Sequence, residues 1–148
     1  MKTVHKSVLI WYSAAEMFAL VTDVASYPKF LPWCDQTSVI EEDAHGMTAK
    51  LGLSMAGLSQ SFTTRNTHDK DRKVALKLVD GPFSKLDGHW DFKPVGKGGE
   101  RACKIEFSLR YDFDNPALAA LVGPVFDKIA GSLVDAFVKR ASQVYGES

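Results

Sequence analysis

Cysteine is nearly absent from this chain: Cys34 and Cys103 are the only two thiols in 148 residues. They form no C-x-x-C pair and have no second pair to complete a tetrahedral set, which argues against structural zinc and against a disulfide scaffold. The expected compartment is therefore the cytoplasm. An excess of charge of either sign is missing too, because 18 Lys and Arg balance 18 Asp and Glu. No overall field draws in nucleic acid or an anionic membrane, and DNA is not an expected partner; a local basic patch stays open. Long apolar runs are lacking. No window approaches the roughly 20 apolar residues that span a bilayer, and Met1 to Val8 alternates with charge in place of a signal sequence.

Catalytic and cofactor motifs are also missing. There is no G-x-S-x-G serine, and His5, His45, His68 and His89 fall at predicted turns or charged faces, without metal spacing. They read as surface histidines, and no metal or cofactor is expected. Gly96 to Gly99 lacks the leading Gly and trailing Ser/Thr of a phosphate loop and joins two strands, so it reads as a hairpin turn. Cys34 reads as a buried structural thiol, and Asp23 as a group hydrogen-bonded at a helix end. No enzyme activity is expected.

What the chain does have is alternation. From Val79 to Phe92, Asp80-Gly81-Pro82 marks a turn; after it Leu86, Gly88, Trp90 and Phe92 point one way, Lys85, Asp87, His89 and Asp91 the other. Gly88 leaves a gap on the apolar side. Similar strands are expected at Thr3–Trp11, Thr37–Glu42, Met47–Met55, Ser59–His68, Lys73–Val79 and Cys103–Phe113. Short turns join most of them, so the sheet should be antiparallel, with about six or seven strands. Ser13-Ala14-Ala15-Glu16 is a capping box opening a first helix, and Pro28 and Pro32 break Tyr27–Cys34 into turns. Asn115-Pro116 opens a last helix whose wide apolar stripe reaches Ala141, with Pro124 expected to kink it. From Pro124 to Tyr145 it would run about 33 Å at ~1.5 Å per residue, close to the ~38 Å width of a domain this size. The expected α+β architecture is one curved antiparallel sheet around one long helix, a single domain over residues 1–148.

A curved sheet and one helix about 10 Å across do not readily fill the volume between them. The expected cavity has Tyr27, Phe30 and Trp33 closing one end. Met47, Leu51, Met55, Phe83, Trp90, Phe92, Phe107, Phe126 and Ile129 line it; Met suits irregular gaps and variable guests. Arg65 is either a solvent-facing arginine or a cation at the mouth, suited to carbonyl or phosphate oxygens. A lipid tail burying ~400 Å² there would gain on the order of 10 kcal/mol before association costs.

Three stretches together resemble a known family: Tyr27 to Cys34, Val79 to Phe92, and Val125 to Ala141, with Ala56–Asn66 and Cys103–Phe113 adding to the match. In this order they resemble the coenzyme-Q-binding START-domain family of the polyketide cyclase and lipid-transport superfamily. The resemblance spans nearly the whole chain and implies a helix-grip fold over an apolar cavity. It also implies non-enzymatic binding of ubiquinone or a related polyprenyl lipid in support of respiration, with transient contact at the inner membrane. The family's bacterial ribosome-association-toxin branch implies an alternative, binding to the large ribosomal subunit to block subunit association. Lys128, Lys139 and Arg140 on the last helix are the cations available for that. Polyketide cyclisation is a third implication, for which the chain shows no acid–base constellation.

Overall fold

Alternating strands and turn residues set the architecture. A computed structural model describes residues 2–55, 57–96 and 101–146, without the side chains of Met55 and Leu58. Strand β1 (Lys2–Ile10) leads into helix α1 (Ala14–Thr22) and a 3-10 segment, Val24–Lys29. Strands β2 (Cys34–Asp43), β3 (Gly46–Met55), β4 (Leu58–Asp69), β5 (Lys73–Asp80), β6 (Phe83–Pro94) and β7 (Cys103–Phe113) follow, and then helix α2 (Pro116–Tyr145). The strands form one antiparallel sheet in the order β1-β7-β6-β5-β4-β3-β2. Strands adjacent in sequence pair from β2 to β7. The one long-range pairing, β1 with β7, sends α1 and the 3-10 segment from one sheet edge to the other. The curved sheet grips α2 as the alternation implied.

Both helix starts are chemically specified. The Ser13 hydroxyl accepts from the Glu16 amide at 3.0 Å while the Glu16 carboxylate accepts from the Ser13 amide at 2.8 Å. Asn115 accepts from the Leu118 amide at 2.8 Å, with Pro116 at the first helical position. The helix then runs on through Pro124 as one 30-residue element. The proline lacks an N–H, so the Ala120 carbonyl loses its usual partner.

Strand β6 shows where strict alternation stops. Leu86, Trp90 and Phe92 are buried on one face, but an irregularity in the pairing with β7 falls between Phe83 and Lys85. That bulge turns Phe83 inward, where it stacks on Phe113 at 5.1 Å. Gly88 has a different purpose from the one its position suggested. A Cβ there would lie 2.4 Å from the Ser108 carbonyl oxygen and 2.9 Å from Leu109 Cδ1. Its gap is filled by β7 and adds no free space. Two further expectations change. Helix α2 is, by length and composition, apolar enough to cross a membrane, because its stripe is built for burial; Phe126, Ile129, Val134 and Phe137 lie in the core. His68 is not a surface histidine: its Nε2 is buried without a hydrogen-bond partner. It shares the inward parity of Phe62, Thr64 and Asn66 and meets the Phe18 ring edge-on at 5.9 Å. Of the expected Gly96–Gly99 turn, residues 97–99 lie outside the described region.

Candidate ligand cavity

Between sheet and α2 lies an apolar cavity with about 80 Å³ of free space. Typical small-molecule pockets measure about 300–1,000 Å³, so side chains fill most of this interior. Of the residues expected to line it, Tyr27, Trp33, Leu51, Trp90, Phe107, Phe126 and Ile129 border the free space. The filling is aromatic: Trp90 packs on Phe107 at 4.5 Å and on Phe137 at 5.2 Å, and Phe137 meets Tyr27 at 5.4 Å. Phe137 is thus the hub of the wall. Sequence reading put it in the helix stripe but not in the cavity, because helical periodicity cannot rank residues within one stripe.

The other expected residues lie elsewhere. Phe83 sits behind Phe126 at 5.1 Å. Phe92 sits behind Trp90, edge-on to Phe18 at 6.1 Å. Met47 is buried in the core away from the free space. Phe30 packs on the far side of Phe137 at 5.2 Å and lines an outer groove. The Met55 side chain is outside the described region. Arg65 lies on the outer face, where its guanidinium donates to both Asp43 carboxylate oxygens at 2.9 Å. Strand parity explains this, since Thr64 and Asn66 on either side of it point inward.

Those two neighbours are the polar residues that sequence reading missed. Thr64 and Asn66 are buried and line the cavity; the Thr64 hydroxyl donates to Asn66 Oδ1 at 2.7 Å. The bond orients the amide and leaves its N–H₂ available to the cavity. The signal was present in the alternation Phe62-Thr64-Asn66, once the inner face of β4 is known. The Tyr27 hydroxyl is committed to the Val21 carbonyl, and burial raises its pKa. No carboxylate, imidazole or cation borders the free space among the described residues. Asp23 is exposed and accepts from the Ser26 hydroxyl at 2.6 Å. Burial pushes both thiols, Cys34 and Cys103, up to about 11, so neither is a ready nucleophile at neutral pH. Among the described residues no group of His, Cys, Asp and Glu could hold a metal ion.

A sheet that grips one long helix over an apolar cavity defines a protein of the START-like helix-grip class. Residues 10–138 match the family described as polyketide cyclase / dehydrase and lipid transport, and the chain belongs to that family. It is 43% identical over 147 residues to the ribosome association toxin RatA of Vibrio cholerae, across 99% of this chain and 100% of that one. It is 27% identical to the mitochondrial coenzyme Q-binding protein COQ10 of Drosophila melanogaster, over 95% of this chain and 59% of that one. The Zhui aromatase/cyclase of Streptomyces sp. R1128 superposes with a TM-score of 0.84 over 99% of both chains at 16% identity, a likeness of fold alone.

Proposed function

We propose that this chain binds a hydrophobic ligand, a quinone or related polyprenyl lipid, in the cavity under α2 and does not transform it. The observation that carries the reading is the lining: apolar throughout except for the Thr64–Asn66 corner. With about 80 Å³ free, a guest is held by burial of its chain once the aromatic side chains that fill the interior move aside, and a carbonyl oxygen on it can accept from the Asn66 amide. The coenzyme Q-binding relative is in keeping with such a guest. Cyclisation has less support, because an acid–base pair facing the guest is what that chemistry needs. We take residues 1–148 to work as one domain in the cytoplasm, with passing contact at the inner membrane when lipid is exchanged.

Solvent extraction with mass spectrometry, followed by titration with a short-chain ubiquinone, tests this. Bound lipid or micromolar quinone binding is expected. Asn66→Leu should weaken the quinone about tenfold, the worth of one buried hydrogen bond. Absence of both lipid and quinone binding would remove the reading.

A second reading has the stronger support from sequence: relatives 43% identical over nearly their whole length are named ribosome association toxins. Here the chain binds the large ribosomal subunit and blocks subunit association, using its outer surface. Overexpression should then raise free subunits at the expense of whole ribosomes in sucrose gradients; an unchanged profile rejects it. The two readings use different surfaces and are compatible.

A further inference from the structure

On its outer side, α2 forms a second concavity with the turn that follows the 3-10 segment. It holds about 500 Å³ and is lined by the Lys29–Trp33 turn and by one face of α2. Lys29, Lys128, Lys139 and Arg140 all border it, and no carboxylate does so among the described residues. That clustering departs from the rest of the molecule. The formal net charge is zero, and the outer face of the sheet pairs its charges, as in Arg65–Asp43, Lys93–Glu106 and Arg110–Asp87. The floor of the groove is apolar, with Phe30, Trp33, Ile129 and Ala136. Arg140 lies over the Phe30 ring at 5.1 Å, a cation–π contact that aims its guanidinium along the groove edge. Trp33 and Ile129 also border the inner cavity, so one layer of side chains separates the two spaces.

We propose that this groove binds an anionic amphiphile with a phosphate head. The head sits at the end where Arg140 over the Phe30 ring brings Lys139 and Lys29 together. The first part of its chain lies on the Phe30–Trp33–Ile129 floor, toward Lys128 about 16 Å away along α2. Volume and chemistry both fit, since about 300–1,000 Å³ with an apolar lining and a few convergent charges is usual for such ligands. An RNA backbone is the less suitable occupant. Its contacts are ionic and would leave the apolar floor of Phe30, Trp33, Ile129 and Ala136 without a partner. The site goes beyond the quinone reading and does not involve the Thr64–Asn66 corner.

Calorimetric titration with farnesyl monophosphate, farnesol, inorganic phosphate and a single-stranded oligoribonucleotide tests the assignment. A Lys128→Glu/Lys139→Glu variant is included; both side chains lie at the surface edge of the groove, so the fold should persist by circular dichroism. Farnesyl monophosphate should bind at least about tenfold more tightly than farnesol, as charge-assisted hydrogen bonds to the head require. Inorganic phosphate should bind far more weakly than either. The double variant should lose the preference for phosphate while keeping quinone affinity. Equal binding of farnesol and farnesyl monophosphate, or an unaffected double variant, overturns the proposal. Oligoribonucleotide binding in place of farnesyl monophosphate, lost in the variant, also overturns it and gives the groove to RNA. Farnesyl monophosphate binding without quinone binding supports the groove and removes the cavity reading instead.

Discussion

Glu16 shows how much one carboxylate can hold together. It completes the capping box of α1 and accepts from Arg101 at 2.9 and 2.8 Å, tying the helix start to the residues that lead into β7. The Arg101 hydrogen bonds lower its pKa from 4.5 to about 2. The unfolded chain therefore takes up this proton first as the pH falls. The stability the group supplies is complete above about pH 4.5 and is lost between there and about pH 2. Glu16→Gln should accordingly flatten the fall in urea midpoint between pH 5 and pH 3, measured against the unaltered chain. The capping box itself was legible, because Ser and Glu three apart before an apolar run is a local rule. The Arg101 partner was not, since it comes from 85 positions along the chain. Arg65 makes the same point: its alternation already set it opposite Thr64, but only the fold showed Asp43 waiting to pair with it.

Among the elements, β6 was both the most readable and the most misleading. Its alternation identified the buried Leu86, Trp90 and Phe92, yet the bulge that turns Phe83 inward leaves no mark on the period. Gly88 looked like spare room because the strand alone shows a missing side chain but not the neighbour that fills it. With a Cβ set to fall 2.4 Å from the Ser108 carbonyl oxygen, Gly88→Ala must force β6 and β7 apart. A loss of about 1–3 kcal/mol is expected, typical of overpacking, read as a lower urea midpoint with an unchanged slope. Helix α2 was the reverse case. Its apolar stripe and its Asn-Pro start are local signals, and the helix is continuous from Pro116 to Tyr145.

Across the whole molecule, interior and exterior can be separated by one substitution. Ala130 is 1% exposed and borders the 80 Å³ of free space. Ala130→Leu should fill that space at a stability change within about 2 kcal/mol and abolish quinone binding, while a ribosome-bound role on the outer surface stays intact in sucrose gradients. Loss of both activities together would mean that the ligand controls the surface. What the sequence by itself determined is the set of elements and their antiparallel succession, because alternation, helical spacing, turns and caps act over a few residues. Only the tertiary structure decided which apolar residues border free space, that Thr64 and Asn66 form its polar corner, and that four cations gather on one groove. Those depend on the pairing of β1 with β7 and the seating of α2. Such contacts join residues far apart in the chain, and no local spacing encodes them.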